Sequence, residues 1–272
     1  MTTPLEELGL ASDLLVYQAL ILTAVSFGVG VLGGFVGLAL GTMRLPAMLL
    51  IGMPAPVAGG TNILVSGLSA MSGAVRHLRE GRVDRRIVLV MGVPAFVGAF
   101  IGGFGSEVVP ESLLIFLAGL LVFWQGVELL ARGRILAPGQ NAAGRTGMFT
   151  RNRVAAEGLI GLSVGLLGGA VGLILGSIRL PALIRILRID PRIAAGTNLF
   201  IGFIMGSVGW VGHAFKGQVD YPLLVLMGAT AMAGSYYGAR LTGRVRLDTL
   251  LLIMGWVLLV VGALLVWQAF GR

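Results

Sequence analysis

The chain has 272 residues, of which 56% are hydrophobic and only 12% charged, and its mean hydropathy is +0.94. A soluble domain carries about 25% charged residues, and a single core cannot enclose this much apolar surface. The absence of cysteine excludes disulfides, thiol catalysis and thiolate metal sites.

Two histidines without an HExxH-type pairing argue against a metal centre, so no cofactor is expected. A net charge of +8 does not point to nucleic acid. The arginines fall between apolar stretches, where topology signals fall. The expected surroundings are therefore a lipid bilayer, and pairing into a homodimer is left open by the sequence.

In chain order, Met1 to Asp13 has no Lys or Arg, so the first apolar segment is expected to be retained rather than cleaved as a signal peptide. Apolar segments follow at 14–32, 36–53, 58–76, 87–106 and 112–130. After a polar stretch, Ala131 to Asn152, read as a solvated loop, they resume at 155–168, 172–188, 194–212, 222–240 and 248–270. Stretches of this length and composition read as membrane helices. Small-residue ladders run through them, such as Gly30 and Gly34, Gly98 and Gly102, and Gly234 and Gly238. Such ladders let helix backbones approach closely in lipid.

The two sets of segments are copies. Gly30 to Met48 (GVLGGFVGLALGTMRLPAM) matches Gly165 to Leu183 (GLLGGAVGLILGSIRLPAL) at an offset of 135. After a one-residue insertion the offset is 136. Gly60-Thr61-Asn62 then matches Gly196-Thr197-Asn198, His77 matches His213, and Gly81, Val83 and Asp84 match Gly217, Val219 and Asp220. Chance does not hold one register over so long a span. The expected fold is an all-α polytopic membrane protein of two homologous repeats, with about 8–10 membrane segments, some broken or re-entrant. Repeat one covers 14–131, a cytoplasmic linker 132–153 and repeat two 154–270.

Segments 36–53 and 172–188 are short and interrupted by Arg-Leu-Pro, so they read either as full crossings or as re-entrant pieces. Five crossings per repeat make the copies inverted, and four make them parallel. With five crossings and the N-terminus outside, sixteen of the twenty Lys and Arg fall inside. Four crossings with the N-terminus inside put twelve inside and six outside. The positive-inside rule favours inverted copies.

Arg44 and Arg179 are the unusual residues, because no carboxylate stands within ten positions of either. A charge at the bilayer centre costs about 2.5–3.5 kcal/mol on insertion scales. Snorkelling to an interface is one reading; an anionic substrate as the partner is the other. Gly41 and Pro46, and Gly176 and Pro181, flank the two arginines. Together they predict a broken helix whose free N-terminal end faces the same anion.

Thr61 and Thr197 read as N-caps of the following helices. Asn62 and Asn198 add side-chain donors, so all ten residues are candidate substrate-binding positions for an oxyanion. His77 and His213 are candidates for a proton relay, or plain interfacial histidines.

The twice-repeated glycine-rich stretch, the Pro-containing start of the next segment and the Gly-Thr-Asn about 15 residues on resemble the TauE/SafE family. The resemblance covers about residues 14–268. It implies a permease of the bacterial inner (cell) membrane for sulfur oxyanions or organosulfonates such as sulfite; export is the expected direction, which family membership does not fix. A permease for a carboxylate or another inorganic anion, and a non-transporting scaffold, stand as alternatives. A nucleotide-hydrolysing site is not expected, because the only lysine, Lys216, lies in no phosphate-binding loop. No residue set for catalysis is apparent either, so the chain is not expected to be an enzyme.

Overall fold

A computed structural model of the chain describes residues 12, 14–36, 40–135, 151–187, 189–241 and 247–271. These residues are helical, with no strand among them. The helices are α1 (Val16–Val36), α2 (Gly41–Leu50), α3 (Ala55–Arg79), α4 (Arg85–Val108) and α5 (Glu111–Ile135) in the first half. The second half holds α6 (Arg151–Val171), α7 (Gly176–Pro181, continued as a π-helix over Ala182–Ile186), α8 (Pro191–Ala214), α9 (Tyr221–Leu241) and α10 (Leu247–Phe270). Six of them, α1, α4, α5, α6, α8 and α10, are long and apolar enough to cross a membrane, so this is a multi-pass membrane protein.

The stretch expected as a loop between the halves is partly helical. Helix α5 runs on to Ile135 and α6 begins at Arg151, while 136–150 lie outside the described residues.

Helix starts follow local chemistry. Asp84 accepts hydrogen bonds from the amides of Arg86 and Ile87, and Asp190 from those of Arg192 and Ile193, with Pro191 as the first helical residue of α8. Aspartate satisfies amides that an isolated helix end leaves open, and proline has no amide to satisfy there. Asp220 does the same at the start of α9, taking the amide of Leu223 at 2.9 Å.

The ten-residue α2 is only about 15 Å long at 1.5 Å per residue, too short to span the hydrocarbon layer as a helix. In the second half the corresponding stretch starts at Gly172, which lies against Gly59 near the start of α3. It ends where α8 begins, and Gly196 in the second turn of α8 lies against His77 at the far end of α3. From Gly172 to the start of α8 the chain thus traverses the bundle, with a non-helical lead-in over 173–175 and a short helical piece over 176–186 among the described residues.

Packing between the halves is reciprocal. Helices α3 and α8 run antiparallel: Gly60 meets His213, Gly67 meets Gly206 and Gly73 meets Leu199. Helices α5 and α10 are also antiparallel, with Gly119 against Gly262 and Gly126 against Gly255. Helix α4 runs parallel to α6, and Gly161, Gly165 and Gly169 seat on the carbonyls of Met91, Ala95 and Ala99. Helix α1 runs parallel to α9, with Gly30 against Ala231 and Gly238 against Val31. The glycine ladders at 30, 98, 102, 234 and 238 therefore close helix pairs that join one half to the other. Gly172, with φ +79, is different: it ends α6, and any Cβ on it would overlap Gly59.

Candidate functional site

The twice-occurring Arg-Leu-Pro stretch forms α2 and α7, and both arginines sit in the first turn. The break lies upstream of each arginine rather than at the proline: Pro46 is inside α2, and Pro181 is where the α-helical part of α7 gives way to the π-helix. Gly41 and Gly176 begin the two helices. At Gly41 a side chain would collide with Ser66, and at Gly176 one would meet the Asn198 carboxamide at 3.0 Å. Glycine therefore lets α2 lie on α3 and α7 on α8.

Arg44 and Arg179 are fully buried, with 1% and 0% of their surfaces exposed. Snorkelling is thereby excluded in this conformation. Arg44 donates from Nη2 to Ser66 Oγ at 3.1 Å and from Nη1 to Ser69 Oγ at 3.3 Å. Arg179 donates from Nε to Asn198 Oδ1 at 3.1 Å and from Nη1 to Met205 Sδ at 3.1 Å. Neither arginine is ion-paired to a carboxylate among the described residues. Arg44 Nε and Arg179 Nη2 are buried with no partner. Two positive charges in the protein interior, each short of a counter-charge, form the main electrostatic feature of the bundle.

The asparagines of the two Gly-Thr-Asn motifs lie beside these helices. Asn62 donates from Nδ2 to the carbonyls of Gly41 at 3.1 Å and Gly172 at 2.9 Å, so it ties the start of α2 to the end of α6. Asn198 orients Arg179 directly. The carboxamides thus hold the broken segments in place, one through the backbone and the other through the guanidinium.

The threonines do something other than expected. Thr61 and Thr197 lie inside α3 and α8, not at their starts, so neither is an N-cap. Thr61 Oγ1 accepts the amide of Asp220 at 3.0 Å, and Thr197 Oγ1 accepts the amide of Asp84 at 2.9 Å. Each hydroxyl holds the loop of the opposite half. The preceding glycines serve the same contact: Gly60 seats on Gln218 and His213, and Gly196 on Arg82 and His77. Gly-Thr therefore forms a reciprocal latch, and Asn reaches the broken helix.

The histidines lie away from the arginines, behind these latches. His213 is fully buried. Its Nε2 lies 2.8 Å from the Gly169 carbonyl, and its Nδ1 2.9 Å from Gln218 Oε1 and 3.3 Å from Ser106 Oγ. A carbonyl only accepts, so Nε2 carries a proton. His77 is partly exposed, and its Nδ1 has no partner.

Sequence reasoning missed Ser66, Ser69, Met205 and Gln125. Gln125, in α5, is buried with Oε1 unpartnered. It lines a small cavity with Gly176, Ser177, Asn198 and Gly202. Continuing the 136-residue register past Asn62 sets Ser66 opposite Gly202 and Ser69 opposite Met205, which would have flagged three of the four.

Comparison with known proteins places this architecture. The chain is 27% identical over 224 residues to a Bacillus subtilis protein named probable membrane transporter protein YdhB, covering 82% of this chain and 90% of that one. It is 24% identical over 267 residues to a second B. subtilis protein, probable membrane transporter protein YunE, covering 91% and 97%. An Arabidopsis thaliana protein named Sulfite exporter TauE/SafE family protein 6 is 27% identical over 134 residues, 47% of this chain and 31% of that one. No solved structure matches the chain significantly. The profile of the family described as Sulfite exporter TauE/SafE matches residues 22–265, and the chain belongs to that membrane transporter family.

Proposed function

We propose that the protein is a secondary transporter of a small sulfur oxyanion or organosulfonate, exported across a bacterial inner membrane, and that at least one of the two buried arginines supplies the charge that holds it. The observation that carries the reading is the pair Arg44 and Arg179: both fully buried, at the same motif position in both halves, each with an unpartnered guanidinium nitrogen and no carboxylate paired to it among the described residues. A buried cation left without a counter-charge is unfavourable, and an anion relieves it. The family and its members named as membrane transporters support transport. The family description supports sulfite as a member of the substrate class.

The same reading takes the halves as inverted copies. Corresponding helices α3 and α8 run antiparallel, as do α5 and α10, and this is what an axis in the membrane plane requires. Helix α3 is about 37 Å long at 1.5 Å per residue, and the two latches lie at its opposite ends. Arg76, Arg79, Arg82, Arg85 and Arg86 cluster at one end and Lys216 lies at the other. The arginine-rich end is assigned to the cytoplasm.

The test is a screen of the purified protein against sulfite, methanesulfonate, sulfate and acetate, read by thermal unfolding and followed by flux into proteoliposomes. A sulfur oxyanion is expected to raise the melting temperature saturably, and the double variant Arg44→Gln, Arg179→Gln is expected to lose that response. A parental response in the double variant, or none to any anion in the parent, overturns the reading.

A further inference from the structure

The two arginines hold the same motif position, yet their surroundings have diverged at corresponding places. Ser66 and Ser69 occupy both terminal nitrogens of Arg44, at 3.1 and 3.3 Å. Only Nε, at the base of the guanidinium, is left. At the corresponding places Arg179 finds Gly202 and Met205. The thioether is a weak acceptor for Nη1, and Nη2 has no partner. A Cβ on Gly202 would stand 3.5 Å from that nitrogen, so the glycine leaves open the space that Ser66 fills in the first half.

Gly202 also lines the cavity that Gln125 enters from α5. Gln125 is buried and its Oε1 has no partner. The residue that corresponds to it in α10 is Val261. Two buried, unpartnered polar groups therefore flank Gly202: Gln125 lines the same cavity, and Arg179 Nη2 stands 3.5 Å from where a Gly202 Cβ would be. The matching positions, Arg44 and Val261, carry a satisfied fork and an apolar side chain. Groups left so are unfavourable unless something else completes them.

We infer that the anion binds asymmetrically, with Arg179 and Gln125 as its ligands, and that Arg44 is a structural side chain held by Ser66 and Ser69. This rests on the anion reading above and narrows its substrate class. One unpartnered guanidinium nitrogen matches one negative charge. The carboxamide of Gln125 offers a donor to an ionised oxygen or an acceptor to a protonated one. The site therefore suits a monoanion, a sulfonate or a singly protonated sulfite, over a dianion such as sulfate. The cavity has about 10 Å³, room for one water. Its walls part to admit an oxyanion, and the wall formed by Gly176 and Ser177 belongs to the short, broken α7.

The experiment compares the affinity of the full-length protein for methanesulfonate and sulfate, by thermal shift and calorimetry in detergent, across four variants. Gly202→Ser gives Arg179 the hydroxyl that Ser66 gives Arg44, with the new Cβ 3.1 Å from Ile174 Cγ2 and 3.5 Å from Arg179 Nη2. Gly202→Ser, Gln125→Leu and Arg179→Gln are each expected to weaken methanesulfonate binding about tenfold or more, the loss of one hydrogen bond to a charged group. Arg44→Gln is expected to lower the melting temperature of the unliganded protein and keep the affinity; Arg44→Lys replaces it if it does not fold. Parental affinity in both Gly202→Ser and Gln125→Leu, loss of binding in folded Arg44→Lys, or tighter binding of sulfate than of methanesulfonate overturns the inference. In those outcomes the parent still binds an anion and the broader reading stands. If no anion stabilises the parent, both fall.

Discussion

The latch at His213 and the latch at His77 are built on the same backbone plan and finished differently. In both, a glycine lets a loop approach, a threonine hydroxyl takes an aspartate amide, and that aspartate caps the next helix. At the His213 end the loop is further sealed by Ser106, Gln218 and the Gly169 carbonyl, and Ser12 donates to Asp220 at 2.6 Å. At the His77 end the loop carries Arg76, Glu80 and Arg82 in an exposed ion-pair cluster. Such pairs contribute little, because water and salt screen them. Duplication supplied the geometry twice, and later substitution set how firmly each end is closed. A transporter that opens at one face at a time needs its two ends to differ in this way in any one conformation.

The largest effect expected on this comparison comes from the backbone. Gly172→Ala combines a left-handed φ with overlap against Gly59 and is expected to cost roughly 2–5 kcal/mol. Ala195, the counterpart of Gly59, already has a Cβ, so Ala195→Gly is expected to cost only about 0.5–1 kcal/mol. Unfolding midpoints in detergent measure both, and a tolerated Gly172→Ala would show that the close contact is dispensable.

The histidines give the next difference. His213→Leu strips partners from a buried carbonyl and a buried carboxamide, with an expected loss of roughly 2–4 kcal/mol. His77→Leu is expected to stay within about 1 kcal/mol. Equal losses would mean that the two ends are closed alike.

The threonines should differ least. Thr61→Val leaves the Asp220 amide unpartnered inside the sealed end and is expected to cost about 1–3 kcal/mol. Thr197→Val is expected at the bottom of that range, since water reaches the Asp84 loop more readily. Hydrogen exchange of the two aspartate amides resolves the pair directly. Faster exchange at Asp84 than at Asp220 in the parent supports the comparison, and the reverse order breaks it.

Much of this was legible in the sequence because duplication writes each position twice. The register placed Arg44 with Arg179 and His77 with His213 before any contact was known, and a missing carboxylate marked both arginines as odd. The roles of Thr61 and Thr197 were not legible. A threonine before an apolar run satisfies the rule for an N-cap, and the true acceptor role depends on a loop more than 100 residues away, with Asp220 lying 159 residues from Thr61. The helices start earlier than the motif suggests, because Pro54 and the Asp190-Pro191 pair begin them. The difference between the arginines was present in the sequence at Ser66, Ser69, Gly202 and Met205. It carries meaning only once α3 and α8 are known to present those positions to the guanidinium groups, because similarity draws the eye along a repeat and divergence does not.

The crossed pairing of helices also sets a timetable for synthesis. Helix α1 has its main neighbour in α9, and Ser26 Oγ donates to the Met227 carbonyl across 201 residues of chain. At roughly 5–20 residues per second, about 10–40 s of translation separate the two partners. Through that interval the glycine-lined face of α1 rests against lipid or the insertion machinery, and α3 waits for α8 in the same way. The first half therefore enters the bilayer with the faces of α1 and α3 that pack on α9 and α8 still uncovered, and those faces close only when the second half arrives.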